Sequence, residues 1–249
     1  MQLHLSSWLE VEKYLETSKA ILIPIGSTEQ HGPNGLLGTD ALCPEIIARR
    51  AGDEAGILVG PTFNVGQAQH HMAFPGTITL RPSTMIAVML DWAQSLMRHG
   101  FERLYWLNGH GGNVSTINAA FAEMYHGISF GRRAASNHPP LRCTLRNWWE
   151  LPGVKGICRQ LFPVGEGSHA TPSEVAVSYF GYPEAVKRVE MTPKIAPVGP
   201  ILDAEDYRRR FPDGRIGSDP SQATVEAGEK IVAVAAKALI TEFNAFAAS

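Results

Sequence analysis

The chain has 249 residues, 44% hydrophobic and 18% charged, with a formal net charge of -2. This is enough apolar sequence for a sizeable core in one large domain or two small ones, and it excludes a disordered chain. The near-neutral charge gives no electrostatic reason to expect nucleic acid or an anionic membrane surface as partner. No apolar run approaches the roughly 20 residues that span a bilayer. The acidic start, with Glu10, Glu12 and Glu16, is unlike a secretory signal. Three widely spaced cysteines, Cys43, Cys143 and Cys158, fit a reducing, cytoplasmic compartment and offer neither a disulfide framework nor a C-x-x-C zinc site.

In chain order, Ser6 or Ser7 can cap a first helix carrying Trp8, Leu9, Val11 and Leu15. Residues 20–26 read as a short buried strand stopped by Gly26. A glycine-rich loop follows, and after Asp40 a helix of about three turns ends near Gly56. Residues 57–61 predict a second strand. Residues 62–80 form a long loop holding His70, His71 and Phe74, and loops of that length inside a domain are usually functional or disordered. From Arg81 to Gly100 the apolar positions Ile86, Met89, Leu90, Ala93, Leu96 and Met97 recur at helical spacing.

Residues 104–107 predict a third strand, leading into Asn108-Gly-His-Gly-Gly-Asn113. Asn113 is placed to cap a helix reaching about Met124. Residues 127–140 read as a polar loop and 141–149 as a fourth strand. Another loop, 165–173, precedes a helix from Glu174. Residues 181–224 lack periodicity and read as irregular surface or an interface. A last helix spans about 225–246, with Ile231, Ala235, Ala238, Leu239 and Phe243 on one stripe. Strands alternating with helices predict one α/β domain, residues 1–249, with a mainly parallel sheet between helical layers.

Three strand-end loops carry the chemistry. Glu29, His31, Asp40, His110 and Glu174 give three carboxylates and two imidazoles, the ligand types of Zn, Mn or Fe. Five ligands suit two ions with a bridging carboxylate better than one tetrahedral ion. Two such ions activate a water and polarise a carbonyl. Each residue has an ordinary alternative. Glu29 and Asp40 suit caps or turns, and the Asn-Gly-His-Gly-Gly-Asn loop suits an anion at a helix start. His169 is the candidate acid/base, with a further metal ligand or a structural hydrogen bond as alternatives, and Glu166 is a weaker acid/base candidate. Trp148 and Trp149 suit either a pocket wall or the core. His71 and Phe74 are candidate pocket residues, although His70 and His71 equally suit a surface pair. His4, His99, His126 and His138 read as surface.

Gly26-Ser-Thr-Glu-Gln-His-Gly-Pro33, Thr39-Asp40, His71-x-x-Phe-Pro-Gly-Thr77, Asn108-Gly-His-Gly-Gly-Asn113, His169 and Glu174 together resemble the creatininase (creatinine amidohydrolase) family. The resemblance runs from about residue 20 to residue 180. It implies a three-layer α/β/α sandwich, two divalent metal ions, hydrolysis of unusual C–N bonds in small molecules, and a homo-oligomer, commonly a hexamer. By position it implies Glu29 and His110 on one metal, His31 and a second carboxylate on the other, and Asp40 bridging. Creatininase proper supplies that carboxylate where this chain has Gly112. Other branches take it from a later His-Ala-Gly-x-x-Glu segment, here His169-Ala-Thr-Pro-Ser-Glu174, so Glu174 inherits the role. Thr171 and Pro172 depart from the pattern, and Gly112 makes creatinine a doubtful substrate. A small-molecule amide is the expected substrate. Hydrolysis of a small modified peptide, or plain metabolite binding, are the alternatives.

Overall fold

A computed structural model of the chain describes residues 1–130 and 141–249. Its core is a parallel sheet of three strands, β1 (Ala20–Ile25), β2 (Arg103–Asn108) and β3 (Arg142–Asn147), in spatial order β1-β2-β3. The register pairs Ala20 with Arg103 and Arg103 with Arg142, so all three strands end level at Ile25, Asn108 and Asn147.

Strand alternation sends side chains to two separate cores. Ala20 and Leu22 of β1, with Tyr105 and Leu107 of β2, pack under helices α2 (Thr39–Ala55), α5 (Val154–Leu161), α6 (Pro172–Gly181) and α8 (Val225–Ala247). Ile21, Ile23 and Ile25, with Leu104 and Trp106, face α1 (Trp8–Thr17), α3 (Pro82–Arg98) and α4 (Val114–Phe130). The result is the expected α/β/α sandwich. Ser7 caps α1 through a reciprocal capping box with Glu10, and Gly56 closes α2 in the left-handed conformation.

Several sequence expectations need correcting. Residues 57–61 are not a full strand. They run parallel to β1 and join it only through isolated bridges at Val59 and Phe63. Leu22 N–H donates to Leu58 and Gly60 N–H to Leu22, but Pro24 has no N–H to continue the ladder. Asn113 does not cap α4. Its amide nitrogen instead donates to the Gly26 carbonyl, and its oxygen accepts from Gln67 N–H, tying three site loops together. Residues 127–130 continue α4 rather than forming a loop, and the rest of that predicted loop, with His138, lies outside the described residues. His4, His99 and His126 are exposed, as expected.

The stretch 181–224 is not wholly irregular. It holds a short helix, α7 (Ala204–Arg210), capped by Asp203, and α7 brings Tyr207 to the site. No helix among the described residues is long and apolar enough to cross a membrane.

The first turn of α2 sits directly on the ends of β1 and β2. A Cβ on Gly26 would stand 2.2 Å from the Asp40 carbonyl oxygen, and one on Gly109 1.8 Å from the same atom. Only glycine permits that approach. Pro44, one turn later, has no N–H to return to that carbonyl. Asp40 is thereby pressed against the strand ends, where open parallel sheets bind their ligands.

Candidate metal centre

Glu29 and His31 stand on the loop after β1, Asp40 in the first turn of α2, His110 on the loop after β2, and Glu174 in the first turn of α6. The structure brings all five together. Asp40 lies between the two imidazoles: Oδ1 is 3.0 Å from His31 Nε2, and Oδ2 is 2.9 Å from His110 Nδ1. His31 Nε2 also faces Glu174 Oε1 at 3.9 Å. Glu29 Oε2 is 3.3 Å from His110 Nε2, and Oε1 is 3.0 Å from His71 Nε2. Neighbouring groups hold the imidazoles in place. His31 Nδ1 donates to the Glu29 carbonyl at 3.1 Å, which leaves Nε2 to face the carboxylates. His110 Nε2 donates to the Gln67 carbonyl at 3.0 Å.

These groups fit divalent cations. Glu29, His31 and Asp40 are all buried, and their donor atoms lie within 4.8 Å of one another. Both carboxylate oxygens of Glu29, and Oδ2 of Asp40, are buried without an aligned hydrogen bond, although imidazole nitrogens stand close by. Buried carboxylates with orphaned oxygens need compensating positive charge. Without a cation, protons supply it. Burial works against a charged His31 and His110, but the Asp40 and Glu29 carboxylates outweigh it, lifting His31 to about 10 and His110 to about 9. Burial also pushes Glu29 and Glu174 above the usual carboxylate range. Asp40 is buried too, yet the two flanking imidazoles hold it well below that range.

Gly112 explains why Glu174 stands where it does. A Cβ at that position would lie 2.4 Å from His110 Nε2 and 2.9 Å from the Gln67 carbonyl. No side chain fits at residue 112 on this backbone, so a carboxylate can reach the His31 side only from elsewhere. Glu174 does not begin α6, as the sequence suggested. It is the third helical residue in a capping box with Thr171, its carboxylate accepting from Thr171 N–H. The cap and the approach to His31 use the same oxygen, Oε1.

His169 stands beside the cluster, with Nδ1 4.0 Å from Glu29 Oε1. Its Nε2 is 2.8 Å from the Gln30 carbonyl and 2.9 Å from the Gln30 amide nitrogen. Gln30, a neutral amide with no ligand-type signal in the sequence, organises this side of the site. Its amide oxygen accepts from Gly32 N–H and its nitrogen donates to the Gly214 carbonyl, so the amide has one orientation. The second amide proton goes to His71 Nδ1 at 2.9 Å. His71 therefore carries its own proton on Nε2, which stands 3.0 Å from Glu29 Oε1. His71, Glu29 and His169 also form a ligand-like trio, but this tautomer makes His71 a support for Glu29. His169 Nε2–H is left to donate to the Gln30 carbonyl, and its Nδ1 lone pair faces the cluster. Burial and the charged His31 keep His169 neutral.

A cavity of about 670 Å³ opens over these groups. Trp148 and Trp149 line it on one side, and Trp148 also belongs to the core, so both readings of this residue hold. His70, His71, Glu166 and Tyr207 line it elsewhere. Phe74 does not line the cavity. It lies behind, edge-on to Tyr207, with the Arg208 guanidinium 4.5 Å above its ring. Tyr207 holds the place expected for Phe74, its hydroxyl donating to the Gly214 carbonyl. Glu166 accepts from Ser173 Oγ, and burial raises its carboxyl to about 7.

Comparisons with known proteins agree with the fold. The model of the family described as "Creatininase: Creatinine amidohydrolase" matches residues 4–243. The creatinine amidohydrolase of Pseudomonas putida is 27% identical over 246 residues, covering 92% of this chain and 90% of that protein. The mycofactocin precursor peptide peptidase of Mycobacterium ulcerans (strain Agy99) is 28% identical over 230 residues, covering 87% and 81%. Among solved structures, a mutant creatininase of Zn–Zn type superposes with a TM-score of 0.83 at 24% identity, covering 98% of each chain. A creatininase described with Mn gives 0.83 at 23%, again covering 98% of each.

Proposed function

This chain belongs to the creatininase family, and we propose that it is a single-domain, divalent-metal-dependent amidohydrolase, residues 1–249. Its substrate in this reading is a small molecule with a cyclic amide or formamide C–N bond. The observation that carries the reading is the buried Glu29–Asp40 pair, three of its four oxygens orphaned and its flanking imidazoles held by neighbouring groups. Glu29 and His110 would hold one ion, His31 and Glu174 the other, with Asp40 between them. Zn, Mn and Fe all suit this oxygen and nitrogen set. When bound, the ions supply an activated water and polarise the substrate carbonyl.

The chain's own residues do the rest. His169 is held by the Gln30 carbonyl with its Nδ1 lone pair open to the cluster. It can take a proton there and deliver it to the departing nitrogen. Glu166 is the alternative proton donor, its carboxyl raised to about 7 by burial. Trp148 and Trp149 offer aromatic surface to a planar substrate. His71 fixes Glu29. Gly112 argues against creatinine itself. A homo-oligomer, commonly a hexamer in this family, and a cytoplasmic location complete the proposal.

The test is metal content per chain on protein purified without chelators, followed by an amide screen. About two equivalents of Zn, Mn or Fe, with hydrolysis that His110→Ala abolishes along with metal occupancy, is the expected result. No metal after reconstitution with each ion, or full activity in His110→Ala, overturns it. One specific observation favours a second reading, peptidase action on a small modified peptide. The 670 Å³ cavity is roomier than a small ring requires. Cleavage of short peptides but not of cyclic amides or formamides would select that reading.

A further inference from the structure

Two of the residues that line the cavity are cations that the chemistry above does not use. Lys155 and Arg159 both line it from α5. They are four residues apart and so stand on one helix face, flanking Cys158. Among the described residues neither makes a salt bridge or a side-chain hydrogen bond: the cavity's carboxylates, Glu29, Asp40, Glu166 and Glu174, all lie beyond ion-pair reach of both. Two unpaired cations on one wall of a concave site raise the local concentration of anions and orient them. The carboxylate–imidazole cluster would hold the ions that act on the amide, and these cations mark where an oxyanion would sit.

We infer that Lys155 and Arg159 form an oxyanion subsite, and that the substrate is an amide carrying a carboxylate or phosphate tail. The inference rests on the hydrolase reading only in naming the amide; the subsite itself is read by binding. Arg159 offers a planar fork suited to either oxyanion, and Lys155 a point charge. The tail keeps its charge and forms no bond. Water adds across the amide C–N bond, and a formamide yields formate and the free amine. Because the cations stand at an open wall, the contact weakens with salt.

The probes are formanilide, 4-formamidobenzoate and 4-formamidophenyl phosphate, which share one amide and differ in the tail. Binding is measured by calorimetry on the metal-reconstituted protein, with turnover followed on the same samples. Two charge-assisted contacts predict that one or both anionic probes bind about 10- to 100-fold more tightly than formanilide. The preference should fall toward parity in Lys155→Met/Arg159→Met, and to an intermediate value in either single variant. Preference for the benzoate or for the phosphate identifies the natural tail. Equal binding of charged and neutral probes, a preference that survives the double variant, or no binding of any probe overturns the subsite. Turnover without tail preference leaves the hydrolase standing and removes the subsite. Tail preference without turnover does the reverse.

Discussion

At the scale of single residues, the site places like groups in unlike surroundings. Glu166 and Asp40 are both carboxylates near the same cluster. Asp40 faces two imidazoles and is held ionised. Glu166 is half-buried against Cys158 and Ser173, with one oxygen buried and unpaired, and its carboxyl rises to about 7. A carboxyl raised on folding favours the folded state while it is protonated. Its contribution is complete below the ordinary glutamate value near 4.5 and is lost as pH climbs through about 7. Glu166→Gln keeps the acceptor for Ser173 and removes the ionisation. The variant should melt with wild type at pH 4 and a few degrees above it at pH 8, a shift on the order of 1–2 kcal/mol. Equal melting at both pH values would show that Glu166 is solvated rather than buried.

At the scale of elements, the first turn of α6 serves two ends. Thr171 and Glu174 close the capping box, and the same Glu174 oxygen faces His31. Thr171→Val removes the hydroxyl that accepts from Glu174 N–H, costing about 1 kcal/mol by loss of the cap. It should also loosen the carboxylate and, with Glu174 holding an ion as proposed, weaken metal binding. Thermal melting of chelated protein reads the first effect, and metal titration reads the second. Thr171→Ser should restore both. Loss of stability with metal binding intact would confine Glu174 to the cap. The sequence made α6, its candidate ligand Glu174 and the two glycine-rich loops legible because ligand types cluster where apolar strands stop. It could not reveal Gln30 or Tyr207. A neutral amide and a tyrosine reached through loop packing leave no periodic trace, and a seven-residue helix is too short to show one. Asp203, followed by acidic and then basic residues, was the available signal for α7. The 57–61 segment failed differently: its apolar run is real, and what denies it a ladder is Pro24 on the neighbouring strand.

For the whole molecule, the cluster couples folding to pH and, in the proposed reading, to metal. In the chelated protein the burden of positive charge falls on His31 and His110, lifted to about 10 and about 9 by the carboxylates around them. An imidazole raised on folding stabilises fully below its ordinary value near 6.5, and that stabilisation is lost as pH rises through the raised value. Glu29 and Glu174, also raised, change in the same sense, while Asp40 is ionised throughout and contributes no slope there. Chelated protein should therefore lose stability steadily between about pH 6.5 and 9, by about 5 °C or more in melting temperature for a chain of this size. Metal-loaded protein should melt higher, and its advantage should widen with pH, because ions displace the protons that the apo site must hold. Melting curves at four pH values, with and without chelator, test this directly. A constant gap between the two forms across that range would mean that the cations do not occupy the Glu29–His31–Asp40–His110 cluster.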